Sequence, residues 1–479
     1  MSSVTTNRRR FLQTGALGVG AAMIGPRVEP SLAAPAIAKN RPPNFLFVIC
    51  DQLGLDAIGA HGCADVHTPN LDRMIHRGTT FIESHSTNPV CSPARSSLMT
   101  GRMPVETGVI TNSRPIHSSC PTIGHVLGSA GYESIYCGKW HMPGGVPRPQ
   151  DGFRVLPARG GQGDIDDTAI SRTCEAYLKN RSKDQPYLMV ASFLQPHDIC
   201  YWGNHVGQRV PDGLPFEQIR DQLPELPPNN KSRPPAPAKL DRIKFDRFSE
   251  EQWRYYLYVY ARMIEMLDAD VGRVLDAVEA SGEADNTVIL FTSDHGDGRG
   301  RHMHVSKWYP YEEAVKVPMV VACPGQVAED HRDTSHLVSG LDVMSTMCDY
   351  AGVKSPEDVR GSSLRPLLEQ KNVTWRECVS SEHHVDGRML RTEQYKFVHY
   401  EGDPVEQLFD MKADPWEMNN LYQDPKYATV LEDHRKLLAE FQSQLTPVEP
   451  TPSAVPPRRK RPKPKAKPVR KLRAKGGQA

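Results

Sequence analysis

The sequence predicts an α/β protein built on a large, mostly parallel sheet flanked by helices. Three observations predict it. Largely apolar runs at Asn44–Cys50 (NFLFVIC), Tyr187–Phe193 and Asn286–Thr292 do not alternate, as expected of strands buried on both faces, and Tyr132–Cys137 reads as a further strand. Segments with helical spacing or helix-boundary residues lie between them, at Thr68–Gly78, Thr122–Ser129 and Glu250–Glu279. Each run also ends in residues able to do chemistry: Asp51-Gln52, Lys139-Trp140-His141, Gln195-Pro196-His197 and Ser293-Asp294-His295. Open α/β sheets build their sites at that end of the strands.

A chain of 479 residues is too long for one ordinary core, so two packed domains or one large domain with an appendage are expected. At 38% hydrophobic and 24% charged it reads as soluble and globular, and it has no apolar run of the roughly 18 residues that span a bilayer. The ten cysteines include no C-x-x-C pair, which argues against a zinc ribbon or a dense disulfide framework, and most read as core fillers.

The two ends stand apart from the body. Residues 1–38 carry NRRRFLQ at Asn7–Gln13, an apolar stretch at Thr14–Gly25 and the small residues Ala36-Ile37-Ala38. This resembles a twin-arginine export signal, with Arg8 and Arg9 as the pair, and implies the Tat translocase as a partner and a periplasmic or secreted location. The tail, 447–479, holds eleven Lys and Arg against Glu449 and is rich in Pro, so it cannot bury a core. It reads as a solubilising tail or as a contact for acidic polymer or the envelope, while the acidic body gives no reason to expect nucleic acid.

Along the body, Asp51 and Gln52 follow the first strand and are placed like ligands. Thr68–Gly78 is a helix with Pro69 at its start, followed by a strand at Thr79–Ile82. The stretch CSPARSSLMTGR, Cys91–Arg102, reads as a helix start in which Ser92 caps, Pro93 takes a first helical position and Gly101 closes the end left-handed. Cys91 then sits where free backbone N–H groups favour an anion, a setting that suits a nucleophile. Lys139 and His141, two apart in extended chain, share a side and can bind an anion and move a proton. A lone His197 would ordinarily be a packed structural residue, but its place after a third strand marks it as functional. Tyr201–Phe248 is Pro-rich and too long for a connector, so it reads as a lid or substrate-side loop. In the helix that follows, Trp253, Tyr255, Tyr256, Tyr258 and Tyr260 read as core.

Cys91, Pro93, Ala94, Arg95 and the Leu98–Arg102 tail resemble the signature of type I sulfatases, as does GKWHM at Gly138–Met142. The resemblance covers about Asn44–Gln444. It implies an alkaline phosphatase-like catalytic domain over 39–376. It also implies a small C-terminal α+β subdomain over 377–446, with an antiparallel sheet and a helix at Pro425–Gln444. Cys91 would be oxidised to formylglycine by a separate maturation enzyme. Asp51, Gln52, Asp294 and His295, with the modified Cys91, would hold a divalent ion, Ca²⁺ by its oxygen-rich shell, with Mn²⁺ or Mg²⁺ open because of the histidine. Arg95, Lys139, His141, His197 and Lys307 would be catalytic. In the family mechanism a hydroxyl of the hydrated aldehyde attacks sulfur, Lys307 and His197 assist the leaving oxygen, and His141 takes the proton that lets sulfate depart. His302 and His304 are expected to line the glycine-rich loop instead of holding metal. The implied activity is hydrolysis of a sulfate ester on a small molecule or oligosaccharide. A phosphonate monoester or phosphodiester hydrolase and a nonenzymatic anion binder stay open, the first because such relatives also pair Asp-Gln with Asp-His.

Overall fold

Strand β1 (Asn44–Asp51) has no exposed residue, and its side chains alternate between two cores. Leu46, Val48 and Cys50 face one core and Phe45, Phe47 and Ile49 the other, which is why the run carries no polar alternation. The computed structural model describes residues 41–158, 162, 167–202, 216–241, 248–383 and 386–451. The export signal and nearly all of the basic tail therefore lie outside the described residues.

The strands that follow are β2 (Gly78–Phe81), β3 (Ser84–His85), β4 (Glu133–Gly138), β5 (Arg154–Leu156), β6 (Tyr187–Pro196), β7 (Thr287–Ser293), β8 (Met319–Ala322), β9 (His331–Asp333) and β10 (Val338–Ser339). Eight of these form one sheet in the order β5-β4-β6-β1-β7-β8-β2-β9. All its pairings are parallel except the two made by β8, which runs against β7 and β2. Strands β3 and β10 pair separately. The fold is the expected mixed, mostly parallel α/β sheet.

Helices cover both faces. Pro69–His76, Thr168–Asn180 and Glu250–Ala280 pack on the face of Leu46 and Val48, while Cys91–Thr100, Ile123–Ser129 and Asp342–Ala351 pack on the face of Phe45 and Phe47. Ser249 starts the long helix with a capping box: its Oγ accepts from Gln252 N at 3.3 Å and its own N–H donates to Gln252 Oε1 at 2.9 Å. Of the five aromatic residues read as core, Trp253, Tyr256 and Tyr260 are buried, whereas Tyr255 and Tyr258 are half-buried and stack on each other at 6.2 Å.

A second sheet follows in strict chain order, β11 (Cys378–His383), β12 (Gly387–Thr392), β13 (Tyr395–Tyr400) and β14 (Gln407–Asp410), antiparallel throughout. Leu390, Phe397 and Leu408 on one face meet Leu431 and Leu438 of the helix Ala428–Ser443. The other face, Met389, Val398 and Phe409, packs on Tyr309, Tyr311 and Val315. The small sheet thus backs a segment that begins two residues after Lys307.

Phe47 is fully buried in the central strand, so Phe47→Ala is expected to cost about 3–5 kcal/mol, read as a lower urea midpoint at unchanged slope.

Candidate active site

The four strands that end in reactive residues are the four adjacent central strands, β4, β6, β1 and β7, running in the same direction. Their carboxyl ends therefore deliver Lys139, His197, Asp51-Gln52 and Asp294-His295 to one place. Two backbone turns make room there. Gly138, at φ 104°, lets β4 turn where a Cβ would stand 2.0 Å from the Ser192 carbonyl oxygen. Gln52 takes φ 73°, and its carbonyl accepts from Tyr260 OH at 2.6 Å.

Cys91 is the first residue of its helix and is 0% exposed. The capping expectation is corrected here: Val90 occupies the cap position, so Ser92 and Pro93 are already helical. Ser92 Oγ donates to the His141 carbonyl at 2.6 Å, and Asn112 Oδ1 accepts the Ser92 N–H at 2.9 Å, a capping bond supplied from twenty residues away. Gly101 closes the helix at φ 67° as expected.

Three groups converge on Cys91 Sγ: Lys307 Nζ at 3.1 Å, His295 Nε2 at 3.2 Å and Asp51 Oδ1 at 3.7 Å. Burial and the Asp51 carboxylate push the thiol up, but Lys307, Lys139 and His295 outweigh them and hold it well below its ordinary value. Lys307 also donates to Gln52 Oε1 at 2.8 Å, while Gln52 Nε2 donates to Asp297 Oδ2 at 2.6 Å.

Arg95, one turn along from Cys91, is 1% exposed and fully engaged. Its Nε donates to Asp294 Oδ2 at 2.7 Å, Nη2 to Asp51 Oδ2 at 3.1 Å, and Nη1 to Ser192 Oγ at 2.7 Å and the Lys139 carbonyl at 2.9 Å. Lys139 Nζ lies 2.5 Å from Asp51 Oδ2. Burial pushes Asp51 up, yet Lys139, His197, Lys307 and Arg95 together hold it well below the carboxylate range. Asp294 moves the other way, pushed up by burial and by Asp51.

The two other histidines stand further out. His197 is 6% exposed, its charge acts on Asp51, and its ring meets Tyr201 edge-on at 6.2 Å. The His141 ring faces Gln162 at 3.4 Å; its backbone, not its imidazole, touches the Cys91 helix. Sequence reading missed Ser192, Asn112 and Asp297. Ser192 was detectable as the one hydroxyl inside an apolar strand and Asp297 by its place three residues after Asp294, whereas nothing local marks Asn112.

Asp51, Cys91, Asp294 and His295 offer ligand atoms within 4.8 Å of one another, all buried. His295 Nδ1 faces the Gly296 carbonyl at 2.8 Å, so Nε2 is the ring nitrogen turned toward Cys91. Two carboxylates and an imidazole fit a divalent ion, and Gln52 stands beside them with its amide oxygen on Lys307. His302 and His304 line the glycine-rich loop, stacked on Tyr311 at 4.2 Å and Tyr309 at 4.3 Å.

This arrangement, a buried cysteine on a helix N-terminus between a cluster able to hold a metal ion and two lysines, is suited to metal-assisted ester hydrolysis, and it sits on an alkaline phosphatase-like sheet. Residues 43–353 match the sulfatase family and 300–444 the C-terminal region of N-sulphoglucosamine sulphohydrolase. The chain is 32% identical over 448 residues to a Delta 4,5-hexuronate-2-O-sulfatase of Bacteroides thetaiotaomicron, covering 86% of this chain and 91% of that protein. An N-acetylglucosamine-6-O-sulfatase of the same organism is 27% identical, with 88% and 90% covered. A solved structure of a putative sulfatase from that organism superposes with a TM-score of 0.74 at 30% identity, over 84% of this chain and 93% of the other. The phosphonate monoester hydrolase of Agrobacterium radiobacter shares the fold, with a TM-score of 0.70 at 22% identity over 84% and 96% of the two chains. The chain belongs to the sulfatase family. It is a sulfuric ester hydrolase, of a family that generally uses a formylglycine and a divalent metal.

Arg95→Met would leave Asp51 and Asp294 buried without their shared partner, so a loss of about 3–5 kcal/mol is expected in urea unfolding with chelator present. Arg95→Lys is expected to recover little of it, because one ammonium cannot reach four acceptors.

Proposed function

We propose that this sulfatase removes a sulfate ester from a carbohydrate, using a formylglycine made from Cys91. The observation that carries the reading is the convergence of Lys307 Nζ, His295 Nε2 and Asp51 Oδ1 on Cys91 Sγ, within 3.7 Å, at a helix N-terminus. The hydrated aldehyde supplies the nucleophilic hydroxyl that a thiol cannot. Asp51, Gln52, Asp294 and His295 hold a divalent ion, Ca²⁺ on this oxygen-rich set, which neutralises sulfate oxygens when bound.

The chain's own residues do the rest. Arg95 locks the two carboxylates in place. Lys139 and Lys307 draw the anionic ester into a pocket that excludes water, and Lys307 with His197 carries the proton toward the departing oxygen. The maturation enzyme acts on Cys91 before this cradle closes, since the folded site buries it. The relatives act on a hexuronate 2-O-sulfate and on an N-acetylglucosamine 6-O-sulfate by name, which supports an amino- or uronic-sugar sulfate as the substrate. The Arg8-Arg9 signal supports twin-arginine export to the periplasm or beyond, and the basic tail is suited to hold acidic polymer near the enzyme.

Inorganic sulfate released from a panel of sulfated disaccharides, including Δ4,5-hexuronate 2-O-sulfates, tests the reading beside a phosphonate monoester control. Sulfate release that falls by about 10²–10⁴ in Lys307→Ala is the expected result. Turnover of the phosphonate alone would hand the site to the other hydrolase class.

A further inference from the structure

A second group of metal-ligand side chains lies away from Cys91. His302, Glu313 and Glu417 offer ligand atoms within 4.8 Å of one another and are all buried. They come from three places: the glycine-rich loop that ends at Lys307, the short helix Glu312–Val315, and the segment between β14 and the C-terminal helix.

The charges there do not balance. Glu312, Glu313 and Glu417 are buried together, and Lys396 Nζ serves Glu417 at 2.5 Å and Glu312 at 3.1 Å. His85 and Lys316 face Glu312, at 3.4 Å and 3.8 Å. Glu313 receives none of these: it is 2% exposed, and neither of its carboxylate oxygens has a hydrogen-bond partner. Arg301 and, more weakly, Lys396 act on it from a distance, but the Arg301 guanidinium is paired with Asp56 and stacked over Trp416 at 4.5 Å, and Lys396 is paired with Glu417 and Glu312. A buried carboxylate with no partner is costly, and a cation is the direct remedy.

The His302 imidazole is oriented as a ligand. Its Nδ1 faces the Ser232 carbonyl at 3.4 Å, leaving the Nε2 lone pair toward Asn229 Nδ2 at 3.1 Å, an uncharged donor that an ion can replace. Asn229 Oδ1, beside it, is a further buried oxygen without a partner.

We propose that His302, Glu313 and Glu417 bind a structural divalent transition-metal ion of the zinc type, separate from the catalytic ion. One imidazole nitrogen and two carboxylates, completed by water or the Asn229 oxygen, match the mixed N/O donor sets that zinc takes. The ion has a structural task. The loop before Lys307 holds Arg299, His302, Met303 and Ser306 at φ between 44° and 65°, a left-handed backbone that surrounding contacts must enforce. Ligation through His302 ties the loop to Glu313 and, through Glu417, to the small sheet, and so fixes where Lys307 meets Cys91.

The test uses the full chain without an affinity tag, stripped of metal, equilibrated with Zn²⁺ and analysed by mass spectrometry for bound metal. Asp294→Asn removes a catalytic ligand and isolates the second site. That variant is expected to keep one tightly held zinc, with an X-ray absorption spectrum of one imidazole among oxygens, and to lose melting temperature on chelation. Adding Glu313→Gln or, separately, His302→Asn should abolish both the bound zinc and the chelator effect. Equal zinc in Asp294→Asn and in either double variant would overturn the proposal, as would a metal-free Asp294→Asn chain; the second result would mean that Glu313 carries a proton instead.

Discussion

Arg95 holds the catalytic end of the sheet together. Its guanidinium spans Asp51 at the end of β1, Asp294 at the end of β7, Ser192 in β6 and the Lys139 carbonyl after β4, so one buried cation fixes four neighbouring strand ends. Parallel strands make this possible, since they all finish on one side. The same helix carries Cys91 one turn earlier, so a guanidinium that registers the strands also places Cys91. Stability and reactivity are therefore coupled at this point. Two aspartates that would repel each other in a dry site are kept there by Arg95 and Lys139, and Asp51 turns its other oxygen, Oδ1, toward Cys91.

The second constraint acts from behind. The antiparallel sheet places Met389, Val398 and Phe409 against Tyr309 and Tyr311, and two asparagines after Leu223, Asn229 and Asn230, reach the loop before Lys307. Asn230 Nδ2 donates to the Gly300 carbonyl at 2.6 Å and Asn229 faces His302. Part of the segment read as a lid is thus a brace for the loop. This links the C-terminal sheet to chemistry without giving it a residue in contact with Cys91.

Much of the fold was legible because strands buried on both faces write themselves as unbroken apolar runs and their ends carry the polar exceptions. Two of the helices announced their boundaries with Pro69 and Gly101. The grouping of Asp51, Lys139 and Asp294 followed once the strands were taken as parallel, whereas Arg95 and Lys307 were placed with them by the resemblance to sulfatases. What failed was local chemistry decided by distant chain. Ser92 looks like a cap, but the His141 carbonyl claims its hydroxyl, and Asn112, with no marker of its own, does the capping. The His141 ring direction depends on Gln162, and the crowding of Glu312, Glu313 and Glu417 appears only when β13 brings Lys396 between them. Spacing along one segment carries none of that information.

The central claim is that the cradle around Cys91 serves an aldehyde made from it. The mass of the tryptic peptide containing Cys91, from protein purified out of its own host, tests this most directly. A loss of about 18 Da relative to the cysteine form, the change from thiol to aldehyde, is the result the account predicts. An unmodified Cys91 peptide from protein that hydrolyses sulfate esters would contradict it.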